Sequence, residues 1–352
     1  MTKKRVSRRE FVQDTAAVAA GAALGAGMAG KAVDAMAAPP DPTKTRSYNE
    51  NMEYRRLGRT GLMLSAVSMG GHWKRIPFPH GSDEFKKNRR EVIHAALDHG
   101  VNYIDACWSG EVVAYAEALG EKREQIYFGF DWTGGRDPAI AGSLEKMKEQ
   151  LDEGLNKTGL DYVDVWRVTL REQTTRNTEQ QIENVMAALE WGKKTGKARF
   201  TGVSTHHRPW IAEAVAKYPQ LEVVITPYSA GSKEKPVGSM FDALRKHDVG
   251  MIGIKPFASG TVFKSRGEPN SATKEEDDDR ARLALRHVLS CDVLTAAIPG
   301  LITVDQVRNA ARAVNERRQF DLAETERFRQ MTDQMWADLP GHYQWLKDWE
   351  WV

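Results

Sequence analysis

The chain carries only two cysteines, Cys107 and Cys291, in 352 residues. That number excludes a disulfide framework as the source of stability. Beyond the N-terminal forty residues there is no apolar run long enough to span a bilayer. Charge of one sign is lacking too, since 50 Lys and Arg face 48 Asp and Glu. A balanced surface gives no electrostatic footprint for nucleic acid. No G-x-G-x-x-G follows the first strand candidate, so the fingerprint of a dinucleotide-binding open sheet is missing.

The N-terminus supplies the most specific pattern. Ser7-Arg8-Arg9-Glu10-Phe11-Val12 is a twin-arginine signature, followed by a run of Ala and Gly and by the small-residue site Ala35-Met36-Ala37. The run is too weakly hydrophobic for a membrane anchor. Its glycines also work against a stable helix. Residues 1–37 therefore read as a twin-arginine signal peptide, which predicts contact with that export machinery and a folded, periplasmic product. The remaining chain keeps 44 basic and 45 acidic side chains. Residues 38–52 are polar and proline-containing and read as a linker.

From Leu64 onward, short β-rich runs alternate with longer amphipathic ones. Eight strand candidates are SAVSMG, NYIDA, IYFGF, YVDVWRV, RFTGVS, EVVIT, MIGIK and LTAAIP. Between them, Leu144, Met147, Leu151 and Leu155 recur at helical spacing, as do Ile182, Val185, Met186 and Leu189 after a Thr178–Gln181 capping box. The alternation predicts an α/β chain folded as a (β/α)8 TIM barrel over residues 53–320. Residues 321–352 form a C-terminal helix and a tail carrying Trp336, Tyr343, Trp345, Trp349 and Trp351. Such aromatics suit either a lid over the barrel mouth or a contact with a second copy or a periplasmic partner. Cys107 falls near the top of the second strand and Cys291 near the bottom of the eighth, too far apart for a disulfide.

Barrel chemistry sits at the C-terminal strand ends. Those positions hold His72, Asp105, Asp131, Thr169, His206, Tyr228, Lys255 and Gly300, a polar cup suited to a small polar ligand. Asp105 and Asp131 end adjacent strands, about 5 Å apart. Two carboxylates so placed do not ionise together unless a cation sits between them, so either one holds a proton or a cation is present. They form an acid/base pair, or each is a hydrogen-bonded strand-end residue. His206 with His72 and the aspartates has the donor types for a divalent metal, without a tight ligand spacing. Lys255 is an anion contact, a proton donor, or the ion-pair partner of an aspartate.

Several segments, in order, resemble the aldo-keto reductase family: YRRLGRTGLMLSAVSMGG, HGVNYIDA, GLDYVDVWRV, GKARFTGVSTH, VGMIGIKPFASG and AAIPGLITVDQV. The resemblance runs from about residue 53 to 315. It implies a (β/α)8 barrel that binds NADPH and reduces aldehydes and ketones with an Asp, Tyr, Lys and His tetrad. Asp105 matches the aspartate. The tyrosine position reads Gly110, the lysine position Asp131 and the histidine position Thr169, while Tyr115 falls in the following helix. The resemblance thus implies altered or lost carbonyl reduction, with Asp105, Asp131 and His206 as the remaining catalytic candidates. For NADP it implies contacts from Ser204, Thr205, Lys255, Phe257, Ser259, Gly260, Gly300 and Gln306, with Ile225 where many relatives offer a glutamine. The polar loop 264–280 corresponds to one that closes over cofactor in relatives, but its acidic residues equally suit the start of the next helix.

Overall fold

The computed structural model describes residues 40–73, 75–132, 135–171, 177–233 and 237–348. The expected signal segment 1–37, Trp349 and Trp351 lie outside them. A hairpin of β1 (Tyr54–Arg56) and β2 (Met63–Ser65) precedes eight parallel strands. These are β3 (Met69–Gly70), β4 (Tyr103–Ala106), β5 (Tyr127–Phe130), β6 (Val163–Thr169), β7 (Ala198–Ser204), β8 (Val223–Pro227), β9 (Gly250–Ile254) and β10 (Leu294–Ile298). They pair in sequence order from β3 to β10, and a parallel bridge between Val67 and Ala297 closes the ring. The (β/α)8 barrel is therefore present.

Helices α1 (Asp83–Asp98), α2 (Ser109–Leu119), α3 (Pro138–Ala141), α4 (Leu144–Thr158), α5 (Glu179–Lys194) and α6 (Arg208–Lys217) follow the first strands. α7 (Met240–Lys246), α8 (Lys274–Val288), α9 (Val304–Asn315), α10 (Leu322–Ala337) and a final turn, α11 (Trp345–Asp348), complete the set. Met147, Leu151 and Leu155 of α4 are buried, as the spacing requires. The Thr178–Gln181 capping box is formed at the start of α5. At α8 the acidic residues Glu275, Glu276 and Asp277 occupy the first turn, where they suit the helix dipole. Asp277 also accepts hydrogen bonds from Lys264 N and Ser265 N, which ties the preceding loop to the helix.

The core has two layers. Inside the barrel, Tyr103, Tyr127, Val165, Val223 and Ile252 pack on Leu57, Leu62 and Leu64, so the hairpin plugs the bottom. Outside, Phe128, Trp166, Val168 and the helix faces form the larger cluster. Side chains alternate along a strand. On β6 that parity sends Val165 inward, and Arg167 with it.

The segment expected to be a linker is instead pinned to the barrel bottom. Thr45 Oγ1 donates to Met63 O at 2.7 Å, Arg46 Nη1 to Ile126 O at 2.7 Å and Ser47 Oγ to Gln125 O at 2.8 Å. Its proline and polar content described local turns, while the docking depends on distant partners. Chief among these is Asp164, a fully buried carboxylate on β6 that accepts from Phe128 N at 2.9 Å. It faces Arg199 at 2.7 Å, Arg123 at 2.9 Å and Arg46 at 3.3 Å. Both cysteines are free, Cys291 buried and Cys107 partly so, as their separation required.

Burial alone would raise the Asp164 pKa, but Arg123, Arg46 and Arg199 together hold it below the ordinary carboxylate value. A lowered folded-state pKa stabilises above the unfolded value near 3.9 and is lost as pH falls through the folded value. We therefore expect Asp164→Asn to cost about 3–5 kcal/mol near neutral pH. Urea unfolding at pH 7 and in strong acid should show the gap between the two proteins shrinking only below about pH 4.

Candidate active site

The C-terminal strand ends surround a cavity of about 290 Å³. Its floor answers what lies between the two aspartates. Asp105 on β4 and Asp131 just past β5 are both buried, and so is Arg167 between them. Arg167 Nε donates to Asp105 Oδ1 at 3.0 Å and Nη2 to Oδ2 at 2.6 Å, a bidentate pair. Nη1 donates to Thr169 Oγ1 at 2.5 Å and lies 3.8 Å from Asp131 Oδ2. Asp131 Oδ2 in turn accepts from Thr169 N at 2.9 Å. The cation is thus a side chain of the barrel itself. The sequence signal was an arginine two residues beyond Val165 in the strand VDVWRVT, and parity alone would have aimed it inward.

Burial pushes both carboxyls above their ordinary values, against the pull of Arg167. Burial also resists the Arg167 charge, yet Asp105 and Asp131 hold its pKa above the usual arginine value. One guanidinium faces two carboxylates. Asp105 has the bidentate pairing, so a proton taken up by the cluster goes to Asp131.

On the opposite wall, His206 Nε2 lies 3.1 Å from Lys255 Nζ. Trp345 from the tail stacks on His206 with ring centroids 4.6 Å apart, and Tyr343 stacks on Trp345 at 5.8 Å. The tail thus reaches over the mouth, and Met335, Leu339 and Leu346 pack beside Ala258 and Val262. Trp336 lies against Gly231, where an added β-carbon would be 2.1 Å from its ring. These aromatics are spent on the chain's own barrel.

Lys255, Ala258 and Ser259 all have left-handed backbone, with φ of 60°, 43° and 60°. Three such non-glycine residues within five positions mark a constrained turn. Gly260 follows with φ of 87°, and a β-carbon there would lie 2.8 Å from Arg266 O and 3.2 Å from the Arg75 guanidinium. The backbone here is shaped for close approach.

Several expected positions line the cavity together: Asp105, Asp131, Ser204, His206, Lys255 and Ser259. Phe257, Gly260, Gly300 and Gln306 do so as well. Thr205 does not, because it is buried and its hydroxyl accepts from His207 N at 3.2 Å. Gln306 uses its side-chain oxygen on Ile302 N at 2.8 Å, tying down the start of α9. Tyr228 packs against Phe241 rather than facing the cup. Tyr115 is buried and donates to Gly70 O at 2.6 Å. The grouping of His72 and His206 with the aspartates as metal ligands is not formed. Arg167 takes the carboxylates, His206 meets Lys255, and His72 Nδ1 lies 2.9 Å from Glu111. Glu111 went unseen in the sequence because nothing local distinguishes one helix glutamate from its neighbours.

Removing the shared cation strands two buried carboxylates. Arg167→Met should therefore destabilise the protein by at least about 3 kcal/mol. Asp131→Asn should cost less than Asp105→Asn, because only Asp105 has the bidentate pair. Urea midpoints of the three variants test this; an Arg167→Met midpoint equal to wild type would refute the arrangement.

The Aldo/keto reductase family model matches residues 66–333. An L-galactose dehydrogenase of Arabidopsis thaliana is 24% identical over 290 residues, covering 75% of this chain and 89% of that protein. An L-glyceraldehyde 3-phosphate reductase of Escherichia coli (strain K12) is 22% identical over 319 residues, covering 75% and 88%. Among solved structures, an aldo-keto reductase from Klebsiella pneumoniae in complex with NADPH superposes with a TM-score of 0.61 at 17% identity, covering 80% of this chain and 95% of that one. The holo form of an aldo-keto reductase from Bacillus halodurans gives 0.60 at 21% identity, covering 80% and 96%.

Proposed function

The chain belongs to the aldo/keto reductase family, and from that premise we propose that it is an exported, nicotinamide-linked oxidoreductase whose carbonyl chemistry departs from the family pattern. The observation that carries this reading is the Asp105–Arg167 pair. By the resemblance, the matching aspartate pairs with a lysine that activates a tyrosine. Here the aspartate is fully engaged by a guanidinium. A guanidinium stays charged and does not relay protons. The lysine position holds Asp131, and the tyrosine position is Gly110. Export rests on the twin-arginine pattern of residues 7–12.

The cavity fits the phosphate part of a nicotinamide dinucleotide. Gly260 gives a cradle that a side chain would fill, with the Arg75 guanidinium beside it. Lys255 supplies a second cationic side chain on the lining. Ser204 lines the floor, where the resemblance places the carboxamide. Ile225, which also lines the cavity, offers that group no hydrogen bond. When bound, the cofactor supplies hydride. Arg167 and Asp105 set a fixed electrostatic floor beneath it, Lys255 presents a cation and His206 a hydrogen-bonding imidazole to an incoming oxygen, and Trp345 shields them from water.

Mature protein titrated with NADPH should show saturable binding by fluorescence. Small aldehydes and ketones should turn over far more slowly than the roughly 10 per second of a typical enzyme. No binding up to millimolar NADPH would remove the nicotinamide reading. Ordinary turnover of simple aldehydes would remove the altered chemistry.

A further inference from the structure

Beside the aspartate cluster, the loops after β3 and β4 meet the first turn of α2. They bring together an imidazole, a thiol and a carboxylate. His72 Nδ1 lies 2.9 Å from Glu111 Oε1, and Cys107 Sγ lies 3.5 Å from His72 Nδ1 and 3.3 Å from Nε2. One ligand atom from each lies within 4.8 Å of the other two. A tetrahedral ion with bonds of about 2.0 Å to nitrogen and oxygen and about 2.3 Å to sulfur separates its ligands by roughly 3.3–3.6 Å. The sulfur–nitrogen spacings already fall there, and the nitrogen–oxygen pair needs to open by only about 0.4 Å.

The backbone is shaped around this cluster. A β-carbon on Gly71 would sit 1.9 Å from the Glu111 carboxyl, so only glycine lets Glu111 reach its place. His72 is held at φ 59°, a left-handed backbone that a histidine rarely adopts. The Glu111 side chain is fully buried, whereas that of His72 is 57% exposed. Glu111 Oε2 accepts from Cys107 N at 2.9 Å, which fixes the carboxylate while Oε1 turns toward the imidazole.

We propose that His72, Cys107 and Glu111 form a three-ligand site for a divalent ion of the zinc type, with its fourth position open to the cavity. A mixed sulfur, nitrogen and oxygen set selects zinc-like ions over calcium or magnesium. Three protein ligands and one open position are the arrangement of catalytic rather than structural zinc. The charges balance: a divalent ion meets one carboxylate, one thiolate and a neutral imidazole. On binding, the thiol loses its proton to solvent, and the ion replaces the hydrogen between Nδ1 and Oε1, which moves to Nε2. His72 and Cys107 line the cavity next to Asp105. Gly110, the position that lacks a tyrosine, lies between Cys107 and Glu111 in the chain. The open position therefore faces the cup beside Asp105, where a Lewis acid polarises a substrate oxygen.

The test is titration of metal-stripped, full mature protein with cobalt(II), without nucleotide, with elemental analysis of zinc in protein purified without chelator. Wild type should bind one equivalent and show a sulfur-to-cobalt charge-transfer band. Cys107→Ser should lose the band, and His72→Ala should weaken binding by at least about 100-fold. Cys291→Ser should change neither. Glu111 is left intact because it also accepts hydrogen bonds from the backbone N–H groups of His72 and Cys107. Absence of stoichiometric binding, or equal binding by wild type and both cavity variants, would overturn the proposal. Because no nucleotide is present, this result stands apart from the NADPH titration.

Discussion

The floor of the cup depends on one buried guanidinium shared by two carboxylates. Taking three charges out of water costs several kcal/mol for each, and their attraction returns that only when the geometry is good. Here it is good on one side. Arg167 grips Asp105 with two hydrogen bonds, then uses its remaining nitrogen on Thr169. Asp131 is held less directly, through the Thr169 backbone and a 3.8 Å approach. The strands on which these residues lie must keep their register for any of this to persist. Asp105 is level with Gly129 on β5, which is level with Val165 on β6. Two residues farther up β6 stands Arg167, and strand parity gives it the same inward face as Val165.

A second buried carboxylate organises the other end of the barrel. Asp164 is adjacent to Val165 but points the other way, where three arginines converge on it. The arginine from residues 40–52 ties the entering chain to the barrel bottom. The top is closed by the chain's other end, with Trp345 stacked on His206 and the methionines of α10 packed below. Barrel bottom and barrel mouth are thus covered by the segments that flank the repeating β/α units. Each cover is held by a different force, ion pairs below and aromatic and apolar packing above.

Much of this was legible before the structure. Eight alternations of short apolar runs and amphipathic runs specify a barrel because each strand must be buried on both faces and each helix on one. The placement of Asp105 and Asp131 at adjacent strand ends followed from that reading, as did the need for a proton or a cation between them. The identity of the cation did not follow, because Arg167 was read as one letter of an apolar strand. Residues 40–52 looked like a linker because local composition reports turn chemistry and says nothing of partners some 80 to 120 positions away. Thr205 was placed by alignment with a strand end, but its hydroxyl serves its own turn. Glu111 was invisible because its role is set by what Gly71, 40 positions earlier, leaves room for.

Loss of a site by drift and replacement of one leave different physical traces. Drift removes one partner of a buried pair and leaves the other uncompensated, which costs 3–5 kcal/mol and selects for further apolar change. The floor of this cup instead keeps its buried guanidinium in contact with both carboxylates. Where the resemblance places a lysine there is a carboxylate, and a guanidinium from the next strand lies 3.8 Å from it while it pairs with Asp105. Where it places a tyrosine there is a glycine, and its chain neighbours Cys107 and Glu111 both meet His72. Left-handed backbone at His72 and at Lys255 adds strain on both walls. A site that keeps its buried arginine paired and its backbone strained is being held in shape. That argues for altered chemistry over an empty scaffold.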